Sequence, residues 1–216
     1  MISKPLILPH GGYKKLVTYR LGNLIYDATQ AFCRRYISRN DRTFDQMLQA
    51  ARSGVSNIIE GSEASATSKK TELKLTNVAK ASQEELLADY RAFLRQHVLP
   101  EWSADSSEAQ MIRQSHPETL SELRQLMAVL VSDKSDKSDK SDKSDKSDKS
   151  DKSDILATIA ANTMICLINQ ETYLLKRQIE RLAADFKRNG GFSERMYRIR
   201  KSIRDKDPEC KSSSAP

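Results

Sequence analysis

The sequence predicts an all-α protein: an antiparallel up-and-down four-helix bundle with a short C-terminal helical extension and a low-complexity insertion before the fourth helix. Three observations carry this. Apolar residues recur at three- and four-residue spacing over long stretches, the period of a helix with one buried face. Gly and Pro are scarce, seven and six in 216 residues, so long helices meet few breaks. Runs of alternating Val, Ile and Thr bounded by turn residues do not appear, which argues against a sheet.

Residues 1–12, with Pro5, Pro9, Gly11 and Gly12, predict an extended arm. Residues 13–102 hold the first three bundle helices. The first is expected over 14–38, with Leu21, Leu24, Ile25, Ala28, Phe32 and Tyr36 on one face. Asp41 is placed to cap the second, over 43–60, which buries Phe44, Met47, Leu48, Ala51, Val55, Ile58 and Ile59. Gly61 reads as its left-handed C-cap. Ala50, Ser53, Gly54 and Ser56 keep this helix thin, and an interior Gly costs about 1 kcal/mol against Ala, so a close helix contact is expected at Gly54. Thr67 or Ser68 caps the third helix, over 69–97, whose main face is Leu73, Thr76, Ala79, Gln83, Leu86, Tyr90 and Phe93. Pro100 ends it, and Trp102 is expected to pack back on the bundle end.

Residues 103–131 look less regular. Pro117 can open a short helix with Leu120, Leu123, Met127 and Leu130 on one side. Seven Ser-Asp-Lys triplets follow, over 132–152, then Ser153 and Asp154. They have no apolar side chain to bury against an ordering cost of about 1–2 kcal/mol per residue. Residues 132–153 are therefore expected to form a flexible linker, with a fluctuating helix as the alternative. The fourth helix is expected over 154–189, with Ile155, Ile159, Thr163, Leu167, Leu174 and Ile179 inward. Its segment 164–168 is apolar all round, so its outer side should also be covered, as a neighbouring subunit would do. Gly190 and Gly191 stop this helix. Ser193 caps a last one within the basic extension 190–206, and 207–216 reads as a disordered tail.

Cys33, Cys166 and Cys210 are far apart, and His10, His97 and His116 are scattered. That pattern fits reduced thiols in a cytoplasmic protein and offers no metal-ligand spacing. The apolar runs are too short for a signal peptide or a membrane span, so no membrane partner is expected. A di-iron bundle needs Glu-x-x-His motifs, and no Glu here has a His three residues on. No phosphate loop or Ser/His/Asp set can be assembled. The sequence therefore predicts no catalytic residues, no metal and no cofactor.

Charge is the stronger signal. Net charge is +7, and residues 176–206 alone carry eleven Lys/Arg against four Asp/Glu. A focused basic patch suits a polyanion. The candidate nucleic-acid-binding residues are Lys14, Lys15, Arg20, Arg34, Arg35, Lys69, Lys70, Arg177, Arg181, Arg188, Arg195, Arg198, Arg200 and Lys201. Ordinary surface ion pairs, such as Arg181 with Asp185, are the competing explanation. A second polar group, Arg52, Asn57, Glu60, Ser82 and Glu85, is expected to be structural: Asn57 and Glu60 would bond across to Ser82 and Arg52 and set helix register.

Two segments carry a family resemblance: QAARSGVSNIIEGSEASA over 49–66 and ELKLTNVAKASQEELLADYRAFLRQ over 72–96. The pattern ARS-G-x-x-NI-x-EG closing one helix, then A-x-AS-x-EEL within the next, resembles the bacterial four-helix-bundle family encoded in ribosomal-RNA intervening sequences. The segment LINQETYLLKRQIERLAADFKRNGGFSERMYRIR, over 167–200, is similar to the suffix extension of a subset of that family. The resemblance implies a homopentamer. It also implies kinship with the accessory variability protein of diversity-generating retroelements, a basic pentameric barrel that binds nucleic acid and a reverse transcriptase. Two functions follow as expectations: a non-catalytic oligomeric adaptor for RNA or DNA backbone, or a structural protein–protein interaction module.

Overall fold

The computed structural model describes residues 11–138 and 147–206, with side chains over 11–133 and 152–205. The described residues form helices and turns, with no strand. A 3-10 turn at Gly12–Lys15 leads into α1 (Val17–Tyr36), followed by α2 (Arg42–Ala64), α3 (Lys69–Gln96), α4 (Ser107–Ser115), α5 (Leu120–Ser138), α6 (Ser147–Asn189) and α7 (Phe192–Lys206).

Helix α1 packs against α2 and α6, and α3 packs against α2 and α6. Neighbours run antiparallel. Cys33, late in α1, meets Met47, early in α2, at 3.9 Å between sulfurs. Gly61, late in α2, lies against Glu72 and Leu75, early in α3. Asn162, in the first half of α6, donates to the carbonyl of Pro100, just past α3, at 2.9 Å. Thr18, at the start of α1, donates to Gln178, in the second half of α6, at 3.0 Å. Phe32 centres an aromatic cluster in the core: its ring sits 4.8–4.9 Å from those of Tyr36, Tyr90 and Phe93. Such tilted and edge-on pairs add to simple area burial. The buried Tyr90 hydroxyl donates to Thr29 at 3.1 Å.

Local signals explain most boundaries. The Thr43 N–H donates to Asp41 at 2.8 Å and the Thr71 N–H to Ser68 at 3.1 Å, so both expected caps form. Trp102 packs on the core, and its backbone N–H donates to the side-chain oxygen of Asn162 at 2.7 Å. Gly61 is not a C-cap. Helix α2 runs one turn further, to Ala64. The inward stripe of α6 passes through Leu175, fully buried, rather than Leu174.

Three expectations change. Residues 103–131 are more regular than their sequence suggests: α4 is capped by Ser106, which accepts from the Ala109 N–H at 3.2 Å. The all-round apolar segment of α6 is covered by the chain itself. Helices α4 and α5 pack on α6, and Ile112, Leu123 and Leu130 join Met164, Ile165, Leu167 and Ile168 in one core. A neighbouring subunit is not needed there. Finally, the Ser-Asp-Lys segment is helical at both ends, to Ser138 in α5 and from Ser147 in α6. Extending an existing helix avoids the nucleation cost, and Asp and Lys four residues apart add about 0.2–0.5 kcal/mol per pair. Residues 139–146, the tail 207–216 with Cys210, and residues 1–10 of the arm lie outside the described residues.

Candidate nucleic-acid interface and a buried polar layer

Antiparallel packing brings the start of α1, the end of α2, the start of α3 and the second half of α6 to one end of the molecule. The Gly11 N–H donates to the Ser62 carbonyl at 3.4 Å, which ties the first described residue to the end of α2. Lys14, Lys15, Lys69, Lys70, Arg177 and Arg181 therefore share this end, although they lie far apart in sequence. Lys15, Arg177 and Arg181 line one open cleft of about 590 Å³, with Glu180 as its acidic member. Arg177 and Glu180 approach only to 3.9 Å and are both more than half exposed, a pairing of little strength in water. Arg181 does not pair with Asp185, which instead accepts from Asn189 at 2.6 Å.

The basic stripe continues along α6 past Arg188 and around Gly190, whose φ of +69° makes the turn into α7. That left-handed conformation suits Gly. The Gly191 N–H donates to Glu194 at 2.5 Å, and Arg198 donates to the Asn189 carbonyl at 2.6 Å. Arg198 thereby satisfies a terminal carbonyl of α6. Arg195 is half-buried, with one guanidinium nitrogen enclosed and without a hydrogen-bond partner. Arg200 and Lys201 are exposed.

The other candidates divide. Arg20 is held by Glu118 at 2.9 Å, and Lys69 by Glu72 at 2.9 Å. Arg34 and Arg35 lie at the opposite end of α1, where Arg35 stacks over the Tyr36 ring at 5.5 Å. The cationic end thus comprises Lys14, Lys15, Lys70, Arg181 and Arg188 as free charges and Arg177 with its loose pairing to Glu180, continued by Arg200 and Lys201.

The bonds expected from Asn57 and Glu60 across to Ser82 and Arg52 do not form. Ser82 donates to Ser53 at 3.1 Å, and Asn57 donates to the Ser53 carbonyl and hydroxyl at 2.8 and 3.2 Å. The bridging residue is Ser53. Arg52, Glu60 and Glu85 are exposed and make no link to Ser82 or Asn57. Glu85 and Arg52, with Asp89 and Arg42, line an open cleft of about 930 Å³. Burial, and secondarily the charge of Glu85, raises the carboxyl pKa of Asp89.

The deeper polar layer is elsewhere. Ile58, Ala79 and Leu175 form one cluster at the cationic end of the core. One helical turn further toward the middle, α2, α3 and α6 place Gly54, Gln83 and Glu171 at one level. Gln83 and Glu171 are both 0 % exposed, and none of their side-chain polar atoms has a hydrogen-bond partner. Each lies against a glycine: a Cβ on Gly54 would sit 2.4 Å from Gln83 Nε2, and one on Gly22 would sit 2.7 Å from Glu171 Oε1. The small residues of α1 and α2 make room for the long polar ones of α3 and α6. Desolvation pushes the Glu171 carboxyl well above the ordinary carboxylate range, so it is neutral in the folded state over a wide pH span. Sequence reading placed Gln83 on the inner face but missed Glu171, which interrupts the apolar stripe four residues after Leu167 and four before Leu175. That position on the helical repeat is the signal that could have revealed it.

Burial pushes the thiol of Cys33 up to about 12 and that of Cys166 up to about 11, so neither is a ready nucleophile at neutral pH. Among the described residues, no group of three or more His, Cys, Asp or Glu could hold a metal ion, and no helix is long and apolar enough to cross a membrane. No family model, curated protein or solved structure matches this chain.

Proposed function

We propose that the chain is a cytoplasmic, non-catalytic adaptor on an antiparallel four-helix bundle. Its cationic end holds the backbone of RNA or DNA, and it works as a homo-oligomer. The observation that carries this reading is the convergence of Lys14, Lys15, Lys70, Arg177 and Arg181 on one end, with Arg188 continuing along α6 and Arg200 and Lys201 on the adjoining α7. Exposed cations along a helix suit phosphate contact, which positions the protein without reading sequence. The resemblance in segments 49–66, 72–96 and 167–200 supports both the bundle and the assembly. Exposed Val17 and Tyr173 leave apolar area beside the cationic end for contact between copies.

The test is fluorescence anisotropy with labelled single-stranded RNA and duplex DNA across a salt series, paired with native mass. The adaptor reading expects an assembly larger than a monomer. It also expects binding to both polymers that weakens steeply as salt rises, with little preference among sequences. A monomer that ignores both polymers at low salt refutes it. A protein–protein interaction module is the second reading, favoured by Tyr197 and Ile203 of α7, each about 60 % exposed (61 % and 60 %) beside the arginines. It expects no polynucleotide binding and loss of a protein partner on Tyr197→Ala.

A further inference from the structure

The end of the molecule opposite the cationic cleft has a cavity of different chemistry. It measures about 400 Å³ and lies between the second half of α1, α5 and the buried stretch of α6. Phe32, Leu123, Met127 and Met164 give it apolar walls. The volume is within the range of about 300–1,000 Å³ typical of small-molecule sites. It exists because α5 packs mainly on α6 and only lightly on α1, which leaves a trough between them.

The rim is as informative as the walls. Arg35 and Arg124 both line the cavity, and among the described residues no Asp or Glu does. Arg124 is exposed and has no ion pair or hydrogen bond with another residue. Arg35 stacks on Tyr36, also part of the lining, and has no ion pair. Two guanidinium groups without an ion pair among the described residues, at the mouth of an apolar trough, match a molecule with an apolar tail and an anionic head.

We propose that this trough binds a single-chain carboxylate amphiphile, with the tail along Phe32, Met127 and Met164 and the carboxylate held by Arg35 and Arg124. Planar guanidinium forks match a carboxylate in two parallel hydrogen bonds. Helix α5 would then be the wall that adjusts to the ligand.

The test uses the full chain and dodecanoate below its micelle concentration, read by calorimetry and native mass spectrometry. Octanoate and decanoate complete a series. One molecule per chain is expected, with affinity rising about fourfold for each buried methylene. Dodecyltrimethylammonium should bind at least tenfold more weakly. Arg124→Ala, at an exposed position, should weaken dodecanoate about tenfold and leave the circular dichroism spectrum unchanged. Ala128→Trp, at the exposed rim, should block the mouth. Equal binding of the cationic and anionic amphiphiles, or no effect of Arg124→Ala, overturns the proposal. Tighter binding of dodecyl phosphate than of dodecanoate overturns the carboxylate assignment.

Discussion

Replacing Glu171 with Met should stabilise this protein, against the usual direction of core substitutions. Both carboxyl oxygens of Glu171 are buried without a hydrogen-bond partner, and leaving such a group unsatisfied costs about 1–3 kcal/mol. Methionine has the same unbranched length and no polar atom, and it adapts to the space against Gly22. A gain of about 2 kcal/mol is expected near pH 4.5, where the linked proton adds little, and for a chain of this size it raises Tm by roughly 4–8 °C. The pH dependence gives an independent check. Burial raises the folded-state pKa of Glu171 above its ordinary value of 4.5, so the folded state holds a proton that the unfolded state releases. The contribution of this group is fully present below about pH 4.5. As pH rises it is lost at up to about 1.4 kcal/mol per pH unit, until the folded-state pKa is passed. The Met variant lacks this loss, so its advantage over the parent should widen from pH 5 upward. Urea denaturation of both proteins between pH 4.5 and 8 measures it. A variant less stable than its parent, or an advantage that does not change with pH, would refute the reasoning.

Other consequences follow from the same layer and core. Gly54→Ala gains about 1 kcal/mol in helix propensity but drives a Cβ into the buried Gln83, an overpacking cost of about 1–3 kcal/mol. Net destabilisation near 1 kcal/mol is expected, and it should reverse to a gain in a Gln83→Ala background, as a double-mutant cycle by chemical denaturation would show. Tyr90→Phe removes the buried bond to Thr29 and should cost about 1–2 kcal/mol with the helical content unchanged. Iodoacetamide at pH 7.5 should leave Cys33 unmodified in the folded protein and label it in denaturant, because its thiol is both enclosed and pushed up to about 12. Peptide mass mapping reads the difference.

The first three helices were legible because each carries a long, largely apolar face, and α2 and α3 also carry polar caps: Asp41 and Ser68 do what their side chains predict. The close contact at Gly54 was legible for the same local reason. Helix α4 was not, since it buries chiefly Ala109 and Ile112, and nine residues give periodicity little to act on. The outer cover of α6 was misassigned because a one-dimensional pattern shows that a face must be buried and not by which partner. Ser-Asp-Lys repeats lack any apolar signal, so their helical ends depend on the helices they extend. At the cationic end, composition marked α6 and α7. Only the antiparallel packing brings Lys15 to Arg177 and Arg181, and only side-chain geometry shows that Arg20 is paired with Glu118. Glu171 was missed because it occupies a core position as a charged residue type.

The most direct test of the account compares salt dependence between two charge-reversal variants. One carries Lys15→Glu, Arg177→Glu and Arg181→Glu, and the other carries Arg34→Glu alone at the far end of α1. For single-stranded RNA the logarithm of affinity should fall with the logarithm of salt, with a slope of about 0.7 for each phosphate contacted. The triple variant should lose most of that slope and most of its affinity at low salt, while the Arg34 variant should bind like the parent. Equal slopes in all three proteins would contradict a polyanion site at the junction of α1 and α6.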